Sequence, residues 1–225
     1  DKYLEKGYSY SRSGNPTVTA LEHRITALEG GVGSLCFATG MAATSCTIMA
    51  LVNAGEHIIL SDVVYGGTHR VSTKVLNRFG VECSFVDTAD ANNVKNAIRP
   101  NTRLIFTETP ANPTLKLTDI AAVSEVARAA GIPHVVDNTF LTPYFQRPLE
   151  LGADITLHST TKFMEGHNIS VGGSITAANQ EHIDKIMFVR NCLGSNMTPM
   201  VAFYTLQGCK TMSTRLEAQS ANARK

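Results

Sequence analysis

The chain has 225 residues, of which 43% are hydrophobic and 17% are charged, and its formal net charge at pH 7 is +1. This length suffices for one large or two small domains, and a near-neutral chain with scattered Lys and Arg gives no sign of a nucleic-acid partner. No apolar run is long enough to span a membrane and no signal-peptide pattern opens the chain, so we expect a cytoplasmic protein without a membrane partner.

The cysteine and histidine patterns indicate neither a disulfide framework nor a metal site. The five cysteines are odd in number and widely spaced in apolar surroundings, so we expect reduced thiols in a cytosolic protein. None forms a CxxC pair, and the seven histidines lack zinc-ligand spacing, so we predict no metal. The sequence begins at Asp1 without Met and stops inside a helical pattern at Lys225, and we therefore expect a fragment of a longer protein.

Short apolar, β-branched runs alternate with helical patterns along the chain. The pattern predicts strands at 35–38, 57–61, 82–86, 103–107, 134–137, 155–158 and 173–177. It predicts helices at 17–29, 41–53, 67–79, 91–98, 118–130, 181–189, 199–207 and 212–223. This alternation is typical of an α/β fold in which a mostly parallel, seven-stranded sheet has helices on both faces and binds ligands at the carboxyl ends of its strands.

An acid and a lysine follow two consecutive predicted strands. Asp137 ends the apolar strand at 134–137, and the run Ser159-Thr160-Thr161-Lys162 follows the next strand, 22 residues later. Chemistry with pyridoxal 5'-phosphate (PLP) needs a lysine for a Schiff base, hydroxyls for the phosphate and a carboxylate that keeps the ring nitrogen protonated. A single lysine is usually a solvated surface residue and a lone Asp after a strand is usually a turn or cap, but the pair predicts a PLP site.

Two further predicted loops hold groups that suit the same cofactor. Gly40 and Met41 open an apolar helix directly after a strand, where backbone N–H groups can bind a phosphate. Tyr65 follows the next strand, a position from which its ring can stack on a cofactor and its hydroxyl can move protons. Strand–glycine–helix turns are common and loop tyrosines often pack on the surface, so neither signal is specific by itself.

Two polar residues outside the predicted strands complete the candidate set. Asn112 stands between two prolines in a loop that follows a strand, and a rigid extended loop there can direct its amide at a ligand oxygen. Arg12 lies ahead of the first helix, where it is either a solvated charge or a planar cation for a phosphate.

Taken in order, these motifs resemble the Cys/Met-metabolism family of PLP enzymes. The family includes cystathionine γ-lyase, γ-synthase and β-lyase, methionine γ-lyase and the homoserine-ester sulfhydrylases. The matching segments are YSRSGNPT (10–17), TGMAA (39–43), YGGT (65–68), ETPANPT (108–114), VDNT (136–139) and HSTTKF (158–163). The likeness extends over essentially the whole sequence and is specific as a set. It implies the aspartate-aminotransferase-like fold type I.

The resemblance assigns a role to each candidate residue. It implies that Lys162 forms the Schiff base, that Asp137 pairs with the pyridine nitrogen, and that Tyr65 stacks on the ring and assists proton transfer. Asn112 would approach the phenolic oxygen. The implied phosphate ligands are Gly40, Met41, Ser159 and Thr161, together with Tyr10 and Arg12 reaching into a neighbouring subunit. The implied assembly is a homo-oligomer, usually a tetramer of two active dimers.

The resemblance also implies a domain organisation. Residues 1–15 would be an arm that contacts the neighbouring subunit, residues 16–210 the large PLP-binding domain, and residues 211–225 the start of a helix that leads to a C-terminal domain. No repeat or linker interrupts the pattern before about residue 210. The arginine that binds the substrate carboxylate in this family would lie in that C-terminal domain, beyond this sequence.

The expected reaction is elimination or replacement on a sulfur amino acid or an activated homoserine, with cystathionine γ-lyase as first choice. A γ-replacing synthase or sulfhydrylase is the alternative, and β-lyase activity is less favoured. Methionine γ-lyases typically carry Cys where Gly67 stands, and Asn168-Ile169-Ser170 departs from the Ser-Asp that often follows the Gly-His of the family. Outside this class, a catalytically silent binding protein of the same fold is possible, whereas a nicotinamide oxidoreductase would need a glycine fingerprint that the chain lacks.

Overall fold

The computed structural model describes residues 7–225, so residues 1–6 of the expected N-terminal arm lie outside the described part. The strands are β1 (Gly33–Phe37), β2 (His57–Ser61), β3 (Glu82–Val86), β4 (Thr102–Glu108), β5 (His134–Asp137), β6 (Ile155–His158) and β7 (Gly173–Ala177). The helices are α1 (Pro16–Glu29), α2 (Gly40–Leu51), α3 (Gly66–Arg70), α4 (Ala91–Ala97), α5 (Ile120–Ala130), α6 (Thr142–Phe145), α7 (Gln180–Leu193) and α8 (Pro199–Ala223).

The seven strands form one sheet in the order β3-β2-β4-β5-β6-β7-β1. The pairs among β2 to β6 are parallel, and β7 is antiparallel to both of its neighbours. The predicted mostly parallel, seven-stranded α/β architecture is therefore confirmed. The central strands β2, β5, β6 and β7 are buried along their whole length, as expected of a sheet covered on both faces.

Helices cover the sheet from both sides. On one face, α2 and α7 pack on a core that includes Phe37, Leu60, Phe106 and Leu157. On the other face, α1 and α8 pack together near β1, and α5 covers Ile105 near the opposite end of the sheet. The two faces carry different core residues, because side chains of successive strand residues point to opposite sides of the sheet.

Several predicted boundaries were wrong. The expected helix at 67–79 is α3 followed by a π-helical turn (Val71–Val75) and a 3-10 turn (Leu76–Phe79). The hydroxyls of Ser72 and Thr73 donate to the carbonyls of Thr68 and His69, which competes with regular helix hydrogen bonding. The helix expected from 118 begins at Ile120, because the Asp119 side chain accepts the N–H of Ala122 and caps it.

The two helices expected at 199–207 and 212–223 are one continuous helix, α8. Gly208 lies between the two expected helices, inside α8. A Cβ at Gly208 would lie 2.1 Å from the carbonyl oxygen of Glu165, so the glycine allows α8 to approach that backbone closely. The boundary expected near residue 210 therefore falls inside α8. Helix α6 and a 3-10 turn (Pro148–Leu151) were not predicted at all.

None of the helices described between residues 7 and 225 combines the length and hydropathy that a bilayer span requires. The same described part contains no group of three or more His, Cys, Asp and Glu side chains arranged to hold a metal ion.

Candidate active site

The carboxyl ends of β2, β4, β5 and β6 lie side by side, because these strands are parallel neighbours in the sheet. We call this edge the carboxyl edge. Tyr65 lies in the loop after β2, Glu108 ends β4, Asp137 ends β5, and Lys162 lies in the loop after β6. The register pairs Glu108 with Asp137, so the two carboxylates are neighbours on the same face.

A single hydroxyl connects the Asp137 segment to the lysine loop. The Oγ1 of Thr139 donates to Oδ1 of Asp137 at 2.6 Å and accepts the backbone N–H of Ser159 at 2.8 Å. The backbone N–H of Lys162 then donates to the carbonyl of Ser159 at 3.2 Å, which closes a turn. The structure thus connects the predicted acid to the lysine loop through Thr139, and the Lys162 side chain is exposed at this edge.

The Asp137 carboxyl is 9% exposed. Burial raises its pKa, while the hydroxyl and N–H bonds from Thr139 and the charge interaction with His158 oppose that rise. A buried carboxylate with so little solvent is stabilised in its charged form by a cation placed against it. Asp137 is therefore suited to a protonated ring nitrogen.

Glu108 is a second buried acid at this edge. Its Oε2 accepts the backbone N–H of Tyr65 at 2.6 Å, and its Oε1 accepts the backbone N–H of Asn112 at 3.4 Å. Burial, followed by the negative charge of Asp137, raises the pKa of Glu108 to about 7, against the opposing effect of these two N–H bonds. Sequence analysis missed Glu108, although it ends an apolar strand in the same way as Asp137.

The start of α2 is suited to binding an anion. The Thr39 side chain and carbonyl accept the N–H groups of Ala42 and Ala43, which leaves those of Gly40 and Met41 without an acceptor in the described residues. A Cβ at Gly40 would lie 2.8 Å from the Cβ of Ser159. Gly40 therefore brings the helix N-terminus against Ser159, as a shared phosphate site requires.

Tyr65 lies next to this helix start. A Cβ at Gly67 would lie 2.5 Å from Cε1 of Tyr65 and 2.7 Å from Sδ of Met41. The absence of a side chain at Gly67 therefore allows the Tyr65 ring and the Met41 side chain to meet at that position. Tyr65 is 55% exposed.

The Thr161 hydroxyl is engaged with the backbone of Gly172. It accepts the N–H of Gly172 at 3.0 Å and donates to the Gly172 carbonyl at 3.2 Å. Binding a phosphate oxygen would require the hydroxyl to redirect its proton from that carbonyl. Asn112 is exposed in the loop after β4, where its backbone is bound to Glu108.

The structure does not join Tyr10 and Arg12 to the groups around Gly40. Both are exposed, and Arg12 donates to the carbonyl and side-chain oxygens of Asn191 in α7 at 2.7 and 3.1 Å. The Arg12 guanidinium also lies 5.2 Å from the centre of the Tyr10 ring. Their expected role in a neighbouring subunit stays a prediction.

Helix α8 contacts the backbone just after Lys162, which sequence analysis did not foresee. The Arg215 guanidinium donates to the carbonyls of Phe163 and Gly208 at 2.9 and 2.8 Å. A Cβ at Gly166 would lie 2.0 Å from this guanidinium. A side chain at Gly208 would meet the backbone of Glu165 and force α8 away from the lysine loop, whereas a side chain at Gly166 would displace the Arg215 guanidinium from its carbonyl partners.

The chain is similar to known proteins along nearly its whole length. The profile of the family described as "Cys/Met metabolism PLP-dependent enzyme" matches residues 2–225. The chain belongs to this family. It is 51% identical to a cystathionine γ-lyase of Bacillus subtilis (strain 168), with 97% of this chain and 58% of the relative covered. It is 48% identical to a Herpetosiphon aurantiacus protein named "Probable cystathionine gamma-synthase", with 96% of this chain and 68% of the relative covered.

A solved structure agrees with the fold. The crystal structure of metB from Corynebacterium glutamicum has a TM-score of 0.92 and 44% sequence identity, covering 94% of this chain and 55% of that chain. The chain spans 56% to 68% of the length of the first three curated relatives. PLP is the cofactor of the family, and the residues present fit it. The open N–H groups of Gly40 and Met41 suit its phosphate, and the buried carboxyl of Asp137 suits its ring nitrogen.

Proposed function

We propose that the whole protein is a PLP-dependent enzyme that acts on sulfur amino acids, with the carboxyl edge as the cofactor part of its active site. The observation that supports this most directly is the Thr139 hydroxyl, which bonds both the Asp137 carboxylate and the Ser159 backbone ahead of Lys162. That connection fixes the spacing between the group proposed to hold the ring nitrogen and the loop proposed to hold the aldehyde.

When bound, PLP supplies an aldehyde for covalent attachment and a ring that withdraws electrons from the substrate. In this proposal the Nζ of Lys162 holds the cofactor and later accepts the Cα proton of the substrate. Asp137 keeps a proton on the ring nitrogen, because a neutral ring would leave its buried charge unpaired. Gly40, Met41, Ser159 and Thr161 bind the phosphate, Asn112 approaches the phenolic oxygen, and the hydroxyl of Tyr65 delivers a proton to the leaving sulfur.

Cystathionine γ-lyase is the first choice among the reactions, because the B. subtilis relative of that name is 51% identical. With cystathionine, this activity would give cysteine, 2-oxobutyrate and ammonia. The alternative is γ-replacement by a γ-synthase or sulfhydrylase, and relatives with synthase, β-lyase and methionine γ-lyase names also match. Methionine γ-lyases typically carry Cys where this chain has Gly67, and the absence of that thiol disfavours methionine γ-lyase chemistry.

The proposal extends to assembly and location. We propose a homo-oligomer, a dimer of dimers in which Tyr10 and Arg12 reach the phosphate of a neighbouring subunit, because both residues are exposed on this subunit. A cytoplasmic location is proposed from the five cysteines, all of which are free thiols.

The first experiment tests the covalent attachment. We expect the full-length protein to be yellow, to lose its visible band on borohydride reduction, and to lose that band completely in Lys162→Ala. Lys185→Ala is the matched control, because Lys185 forms an exposed ion pair with Glu181 at 2.7 Å on α7. A colourless protein that takes up no added PLP would contradict the proposal and leave a silent binding protein of the same fold.

The second experiment separates the reactions. The full-length protein is incubated with cystathionine, and 2-oxobutyrate is assayed against pyruvate. We expect 2-oxobutyrate as the main product, which indicates γ-elimination. Pyruvate as the main product would indicate a β-lyase. Faster turnover of O-succinylhomoserine with cysteine than of cystathionine would replace the lyase by the γ-synthase alternative.

A further inference from the structure

Glu108 occupies a position between two loops of the proposed active site. Its side chain is 9% exposed, and it ends β4 between the loop after β2 and the loop that follows β4 itself. One carboxylate oxygen accepts the N–H of Tyr65 at 2.6 Å and the other accepts the N–H of Asn112 at 3.4 Å. The same side chain therefore bonds the backbones of Tyr65 and Asn112, two of the residues that are proposed to contact the cofactor.

These bonds matter because neither loop residue is fixed by its own side chain. Tyr65 and Asn112 are both exposed, and Tyr65 starts α3 without a side-chain cap. A hydrogen bond from a backbone N–H to a carboxylate is stronger than one to a neutral acceptor, especially where water is largely excluded. Fixing two loops before the ligand arrives reduces the entropy that ligand binding must overcome.

We propose that Glu108 is a positioning residue that holds Tyr65 and Asn112 in place at the proposed cofactor site. This inference deepens the proposed function, on which it rests. Glu108 acts through the two backbones, and it reaches the cofactor only by way of Tyr65 and Asn112.

The neighbouring acid Asp137 supports a division of roles between the two carboxyls. Glu108 and Asp137 are register partners on adjacent strands, and both have a raised pKa, chiefly because of burial. Two buried carboxylates this close resist carrying two negative charges at once. A cation placed at Asp137 compensates the charge there and so reduces the repulsion on Glu108, which favours the charged form of Glu108 that accepts both loop N–H groups.

The test compares Glu108→Ala and Glu108→Gln with Asp154→Ala. Glutamine keeps one oxygen that can accept the Tyr65 N–H, so it is the conservative variant. Asp154 is the matched control, because its Oδ2 accepts the backbone N–H of His134 at 2.8 Å near the amino ends of β5 and β6, away from the carboxyl edge. Asp154→Ala therefore also removes a hydrogen bond from a backbone N–H to a side-chain carboxylate.

Two measurements on the full-length protein give the answer. The first is hydrogen exchange of the apoprotein in peptides that contain the Tyr65 and Asn112 amides, a readout that needs neither cofactor nor activity. We expect at least about tenfold faster exchange in both for Glu108→Ala. For Glu108→Gln we expect near wild-type exchange at Tyr65. The second is PLP affinity, which we expect to fall by about tenfold in Glu108→Ala and by less than about threefold in Glu108→Gln and Asp154→Ala.

The outcomes separate this inference from the proposed function. Unchanged exchange at both amides in Glu108→Ala, or an equal loss of PLP affinity in Asp154→Ala, would overturn the positioning role. If Glu108→Ala does not fold, Glu108→Gln provides the test. Wild-type exchange at Asn112 in that variant would show that the second carboxylate oxygen does not restrain the Asn112 loop, and it would overturn the positioning role. A wild-type protein that binds no PLP would instead overturn the proposed function, whatever the exchange data show.

Discussion

The carboxyl edge and the start of the chain are built in opposite ways. At the edge, Asp137 is 9% exposed, and its carboxylate accepts a hydrogen bond from the Thr139 hydroxyl. The same hydroxyl accepts the backbone N–H of Ser159 in the loop after β6. In residues 7–15, Tyr10 is 60% exposed, and the exposed Arg12 contacts Asn191 of α7 and the Tyr10 ring. The fold therefore completes the proposed ring and phosphate-helix contacts within one subunit, while Tyr10 and Arg12 have their surfaces available for another molecule.

The largest expected effect on this contrast comes from Gly40→Val, which places a side chain between α2 and Ser159. Its Cβ would lie 2.8 Å from the Cβ and 3.0 Å from the Cα of Ser159, so the helix start and the hydroxyl must separate. We expect PLP affinity to fall at least about 1,000-fold and the free energy of unfolding to fall by about 1–3 kcal/mol. Titration of the apoprotein with PLP and urea unfolding measure the two effects.

Gly55→Ala is the control for this substitution. Gly55 has φ +81°, and a Cβ there would meet no heavy atom within 4 Å among the described residues. The alanine costs ~1–2 kcal/mol of backbone strain without touching the carboxyl edge. PLP affinity that falls equally in both variants would mean that general destabilisation, and not the start of α2, explains the loss.

A second test uses pH and addresses the buried acids. Glu108 has a pKa raised to about 7 from an ordinary 4.5, so the folded apoprotein binds its proton more tightly than the unfolded chain does. The contribution of this group to the free energy of unfolding should therefore be fully present below pH 4.5 and be lost as pH rises through 7, a fall of ~3 kcal/mol. Urea unfolding of the apoprotein across that range measures the fall.

Glu108→Gln should remove most of this pH dependence, because glutamine does not titrate. A shallower fall should remain, since burial also raises the pKa of Asp137, opposed by Thr139 and His158. An apoprotein whose stability rises with pH over this range would contradict the buried, proton-binding state of Glu108.

The smallest effect on the fold is expected for Arg12→Ala. Its bonds to Asn191 are exposed, so the free energy of unfolding should fall by less than about 1 kcal/mol. PLP affinity of the assembled protein should nevertheless fall by about tenfold, because the proposed role of Arg12 lies in a neighbouring subunit. Arg147→Ala is the control, since Arg147 forms an exposed ion pair with Glu150 at 2.9 Å. Equal PLP affinity in both variants would remove Arg12 from the proposed site.

Much of the fold could be predicted, because short apolar, β-branched runs marked the strands and the apolar residues of most helices recurred with helical spacing. All seven strands were predicted within two residues, since short β-branched runs between helices have few alternative structures. The errors arose in two situations. In one, a side chain bonds the backbone of its own turn, as Ser72 and Thr73 do; in the other, a helix contacts a segment that is far away in the sequence. The close approach of Gly208 to the carbonyl of Glu165 could not be predicted, because the two residues are 43 positions apart in the sequence, by the difference between their numbers.

The site was predicted in part for a similar reason. Lys162, Asp137 and Gly40 belong to local motifs, so their residue types and spacing were informative. The connections between motifs were invisible: Thr139 to Ser159, Glu108 to Tyr65, and Arg215 to Phe163 each join different loops or helices. A carboxylate at the end of an apolar strand was the signal for Asp137, and applying it to β4 would also have found Glu108.

The contact between α8 and the lysine loop has a mechanical consequence. Helix α8 has 25 residues. Its Gly208 lies against the backbone of Glu165, and its Arg215 donates a hydrogen bond to the carbonyl of Phe163, so both contact the backbone that follows Lys162. A displacement of this part of α8 would either break the bond from Arg215 to the Phe163 carbonyl or move that backbone with it. The attachment point proposed for the cofactor and the middle of α8 should therefore shift together.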